Sequence, residues 1–113
     1  MPTEIRQIAF KSQEAMQAVI EYHRRRSIAL PSGSAIDITF DEEPVSAVLR
    51  IQAAGGLTKQ VPITAEGLAA ALILFCINRK IPLPAEADKR LQKLNGGVAL
   101  IVRIPVKGAA TAL

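Results

Sequence analysis

His23 and Cys76 are the only histidine and the only cysteine in the 113-residue chain. A thiol and an imidazole in contact can act as nucleophile and base when a third group orients the ring. Both residues fall inside helical stretches, on the half expected to face inward. Small thiols and semi-polar rings are ordinary core residues there. No catalytic residue is therefore assigned. One His and one Cys on separate helices do not make a tetrahedral metal site. Asp37, Asp41, Glu42 and Glu43 lack the spacing and the glycine of a calcium loop. Asp41-Glu42-Glu43-Pro44 reads as a solvated turn. Gly55-Gly56 and Gly96-Gly97 match no phosphate-cradling pattern, and no G-x-S-x-G elbow occurs. The expectation is a protein with no metal and no cofactor, more in keeping with a non-enzyme than an enzyme.

Charge is the next source of chemistry. The net charge is +4. Residues 1–55 hold six Lys/Arg against seven Asp/Glu, and residues 56–113 hold eight against three, so the excess belongs to the second half. Arg24, Arg25 and Arg26 close the first helix, and Arg79 and Lys80 close the second. Cations there complement the negative end of the helix dipole. Together with Lys89, Arg90, Lys93, Arg103 and Lys107 they are also candidates for contact with anions or a nucleic-acid backbone. Tryptophan is absent, and Tyr22, Phe40 and Phe75 sit at core-like positions. Stacking on bases is disfavoured accordingly.

The elements that must position these residues follow from local pattern. Glu4–Phe10 reads as a strand. Ser12 is a candidate N-cap for a helix over 13–26, with Ala15, Met16, Val19, Ile20 and Tyr22 at helical spacing. Pro31, Ser32 and Gly33 break the chain. Ile36, Ile38 and Phe40 alternate with polar residues, as do Val45, Ala47, Leu49 and Ile51. Gly55-Gly56 marks a turn, and Leu57–Ile63 is a strand whose Pro62 suits an edge. Thr64 is a cap for a helix to about Asn78, and Val98–Pro105 is a last, very apolar strand. Residues 85–94 are ambiguous. Local composition favours a helix ending at Asn95-Gly96, which is equally a hairpin signal. We favour a short turn followed by a strand.

The ambiguity is narrowed by internal similarity at an offset of 53 residues. Arg26 and Ile28-Ala29-Leu30-Pro31 match Arg79 and Ile81-Pro82-Leu83-Pro84. Gln7, Ala18, Val45, Arg50-Ile51 and Gly55 match Gln60, Ala71, Val98, Arg103-Ile104 and Gly108. The reading is one domain over residues 1–113, built from repeats 3–55 and 56–108, with a frayed tail at 109–113. The fold class is α+β. It is a pseudo-twofold tandem of a β-α-(β)-β unit, with mostly antiparallel pairing and both helices on one sheet face, as in ferredoxin-like or related folds. Each half alone is too small to bury its apolar face well.

Placing the two helices in one frame exposes a difference. Glu14, Gln17, Glu21 and Arg24 form a polar stripe on the first. The same positions on the second are Gly67, Ala70, Leu74 and Ile77. A helix that is apolar all round needs cover on both sides. Residues 85–94, the tail or another chain could supply it, and the expectation is another copy of this chain, in a homodimer. The function expected is a small interaction or regulatory module that self-associates through its second helix, with a possible further protein partner. The alternative is weakly specific nucleic-acid binding by the basic half. Met1–Phe10 lacks the apolar run of a secretory signal. The apolar run at 67–77 is too short to span a bilayer. Together with a single cysteine these predict a cytoplasmic, non-membrane protein.

Overall fold

The computed structural model describes residues 3–85 and 87–105. The chain runs β1 (Thr3–Lys11), α1 (Ser12–Arg25), β2 (Ser34–Asp41), β3 (Ser46–Gln52), β4 (Thr58–Ile63), α2 (Ala65–Asn78), β5 (Asp88–Leu94) and β6 (Gly97–Pro105). The architecture is α+β. All strand pairings are antiparallel, and they form two three-stranded sheets ordered β1-β6-β5 and β2-β3-β4. The β2-β3-β4 sheet is a continuous meander, whereas the β1-β6-β5 sheet is a local hairpin completed by β1 from the other end of the described chain.

Both helices have 14 residues, and they begin 53 positions apart. Their starts are built differently. At α2, Thr64 is the N-cap, and its hydroxyl oxygen accepts from the Gly67 N–H at 3.1 Å. At α1 the cap position falls on Lys11, one residue before the Ser12 expected from sequence. The Glu14 carboxylate accepts from the Lys11 N–H at 2.9 Å. The Ser12 hydroxyl instead donates to the Gly96 carbonyl at 3.0 Å. A long-range bond competes successfully for the side chain that local preference would assign to capping. It ties the first turn of α1 to the β5–β6 turn.

The ambiguous stretch at 85–94 contains the strand β5. It pairs along its whole length with β6, from Asp88 opposite Arg103 to Leu94 opposite Gly97. Asn95-Gly96 forms the two-residue connection, with Gly96 at φ +82°. Pairing along β6, with Leu91 packed partly buried beside the core residue Leu100, outweighs the helical preference of Lys, Arg, Gln and Leu. In β2–β3 the corresponding connection has four residues, between Asp41 and its partner Ser46. The two hairpins therefore differ in register by two residues. Arg50 faces Asp37, whereas Arg103 faces Asp88 and not Arg90.

A single apolar core joins both sheets and both helices. It contains Phe10, Val19, Ile38, Leu49, Leu68, Leu72, Val98, Leu100 and Val102, all buried, and among the described residues no polar side chain is buried with them. Phe10 meets Phe75 edge-on, with ring centroids 5.7 Å apart. Gly97 permits the closest backbone approach, since a Cβ there would lie 2.1 Å from the Phe10 carbonyl oxygen. Pro62 lies on the edge strand β4, where a missing N–H does least harm. No described helix is long and apolar enough to cross a membrane. The tail at 109–113, together with Lys107 and Gly108, lies outside the described residues.

Candidate interaction surfaces

The proportions of α2 set up the first surface. Leu68, Ala71, Leu72, Phe75 and Cys76 are buried in the core. Its opposite stripe is not equally treated along its length. Gly67 and Ala70 line a cleft of about 500 Å³ shared with Tyr22, His23 and Ile28 from the end of α1 and the loop after it. That end of the stripe borders a neighbour within the chain. Towards the C-terminus, Leu74 is half-buried and takes no part in the packing around the core, and Ile77 is 59% exposed. A Cβ at Gly67 would meet only its own cap, Thr64 Oγ1 at 3.2 Å, and Ile63 at 3.7 Å. The glycine therefore relieves the cap, and close helix approach is not its role.

The helix ends are joined by charge. Arg79 donates to both carboxylate oxygens of Glu21, at 3.3 and 3.1 Å, and its guanidinium lies 3.5 Å from the Phe75 ring centre. The hydrogen bond from Arg79 holds the Glu21 carboxyl below its ordinary range. Arg26 lies over the Tyr22 ring at 5.7 Å. Lys89 donates to the carbonyls of Pro84 and Ala87, at 3.2 and 3.1 Å, and Arg90 pairs with Asp88 at 3.1 Å. Arg24, Arg25, Lys80, Lys93 and Arg103 are exposed, with no ion pair among the described residues. The nine basic candidates do not form one surface. Five sit at helix ends, while Arg90 and Arg103 occupy one face of the β1-β6-β5 sheet and Lys89 and Lys93 the other, by strand alternation.

His23, Cys76 and the polar strand residues that recur at the 53-residue offset are also dispersed. His23 is held by its own helix, its Nδ1 lying 2.8 Å from the Val19 carbonyl oxygen. Cys76 is a buried free thiol, and burial pushes its pKa up, away from the thiolate a nucleophile needs. Gln7 and Gln60 lie on separate sheets. Arg50 is bound to Asp37 through two hydrogen bonds, which hold the Asp37 carboxyl below its ordinary range. A second groove, of about 350 Å³, runs between Pro44-Val45, Ala65, Ala69 and Leu91. Comparison with protein-family models, with curated proteins and with solved structures finds no match.

Sequence reasoning passed over one surface. β1 is an edge strand whose Ile5 is 59% exposed. Alternation along the strand carries that information only once its pairing is known. The Ile5 side chain faces away from the core because Phe10 and Ile8 face towards it.

Proposed function

We propose that this chain is a non-enzymatic interaction module that self-associates through the outer face of α2, around Leu74 and Ile77. The observation that carries the reading is the pairing of a fully buried stripe with a second apolar stripe that is only partly covered and opens at its C-terminal end: Leu72 is 0% exposed and Ile77 59%. Burying such a side chain is worth about 1.5–3 kcal/mol, so a second copy laid twofold across this face has an apolar driving force. The in-phase recurrence of β-α-β-β supports the related proposal of a tandem duplication. On that view the second copy has exchanged the polar stripe of α1 for an association surface. Leu74→Glu restores the residue type that α1 carries in the same place. It is expected to lower the average mass measured by light scattering at roughly tens of micromolar while the circular dichroism stays unchanged. An unchanged mass contradicts the proposal. The nucleic-acid alternative draws less support, because Arg79, Lys89 and Arg90 already have partners and the other cations point in several directions.

A further inference from the structure

Among the described residues the two sheets leave four strand edges, those of β1, β5, β2 and β4. An open edge offers unpaired N–H and C=O groups to any strand that can align with it, and folded proteins usually guard such edges. Three of the four carry a guard. β2 is bulged between Ala35 and Asp37, and pairing with its own copy about Thr39 would set Asp37 against Asp41. β4 carries Pro62, which has no N–H to give. β5 paired with its own copy about Leu91 would set Lys89 against Lys93.

β1 has none of these devices. It is nine residues long, contains no proline, and pairs with β6 in unbroken register from Thr3 to Lys11. No backbone hydrogen bond joins its other side to any other described segment. Antiparallel pairing of β1 with a second β1 about Ile5 places Ile5 against Ile5, Thr3 against Gln7, and Glu4 against Arg6 twice over. The exposed Glu4 and Arg6 already attract one another along the strand, at 3.5 Å. Opposite charges directly across a strand pair stabilise it, and like charges oppose it.

We infer that the free edge of β1 docks the β1 edge of a second copy of this chain, joining two three-stranded sheets into one six-stranded sheet across a twofold axis. This contact is separate from the α2 face and does not depend on it. A chain with both contacts has two self-complementary surfaces, and so assembles beyond a dimer as concentration rises.

Sedimentation equilibrium of the full chain carrying Leu74→Glu isolates the β1 contact. Dimer is expected in the micromolar to millimolar range. Adding Glu4→Arg puts Arg against Arg6, and adding Arg6→Glu puts Glu against Glu4. Each is expected to weaken the dimer about tenfold or more. Glu4→Arg with Arg6→Glu restores the pairing with the charges exchanged, and dimer returns. Circular dichroism on each variant verifies folding, and the double exchange keeps the composition of the parent. A monomer throughout in the Leu74→Glu chain overturns the proposal, as does a reversal that the second reversal fails to rescue. Either outcome leaves the α2 reading standing. That reading fails separately if Leu74→Glu does not lower the mass of the parent.

Discussion

Helices α1 and α2 are equal in length and equally placed relative to their strands, yet they differ in what they do with their outer faces. α1 buries Ala15, Ala18 and Val19 and turns Gln13, Glu14, Gln17 and Arg24 to solvent. α2 buries larger residues and keeps apolar side chains outward as well. Glu21 and Leu74 stand at corresponding places. Glu21 is spent on an ion pair that ties α1 to the end of α2, while Leu74 stays outside the core packing. Core burial alone accounts for α1. It leaves the outer face of α2 unexplained, and that excess is the basis for assigning it a partner.

The largest expected effect comes from the inner faces. Leu72→Ala should cost about 2–5 kcal/mol in denaturant unfolding, because the fully buried leucine leaves a cavity among close-packed neighbours. Val19→Ala at the corresponding place on α1 removes fewer methyl groups and should cost less. A larger loss at Val19 would break the view that α2 is the better-filled helix.

Exchanging the outer residues is the next most informative change. Glu21→Leu gives α1 an apolar stripe with Met16 and Ile20, which already border a shallow groove of about 270 Å³ on that face. New self-association of this variant, seen as a rise in light-scattering mass, would sharpen the comparison. No gain would show that a leucine at this place is not sufficient and that the surroundings of Leu74 matter.

His23 and Cys76 give a smaller contrast. Burial holds the Cys76 thiol protonated, and the side chain is 0% exposed. Alkylation at neutral pH should be far slower than for a free thiol and should rise to that rate only on unfolding. Fast labelling of the native chain would contradict the packing described for α2.

The smallest effect expected is on acid stability. The bond from Arg79 lowers the Glu21 pKa in the folded chain. A group with a depressed folded pKa contributes stability above its unfolded pKa, near 4.3 for glutamate, and loses it as pH falls through the lower folded value. Glu21→Gln should flatten that part of the stability curve. The change is expected to be modest, since both partners are partly exposed and solvent screens them. A steeper acid loss in the variant would reverse the sign assigned here.

The strands, helices and turns were largely legible from alternation, spacing and glycine or proline breaks, because these encode local geometry. Thr64 illustrates this, capping α2 as its type and position require. Ser12 does not, because its hydroxyl is claimed by Gly96 from the far end of the chain. The pairing of β1 with β6 depends on contacts no local pattern records, whereas β3 with β4 is the hairpin that Gly55-Gly56 marks. The two-residue difference between the hairpins was likewise hidden behind matches such as Arg50 with Arg103. The apolar stripe of α2 was visible in sequence, but its division into a cleft beside Tyr22 and an open end at Ile77 required the packing of α1. The β1 edge was invisible until the order of strands was known.

The self-association of α2 is tested most directly by intermolecular paramagnetic relaxation. A spin label on Asn78→Cys, exposed beside that face, in chain without nitrogen-15, is mixed with isotopically labelled parent chain. The label reports only on neighbouring molecules, and the buried Cys76 does not compete for it. The account predicts broadening of amides along α2 of the labelled chain, centred on Leu74 and abolished when both chains carry Leu74→Glu. No intermolecular broadening of α2, with or without broadening at β1, would contradict it.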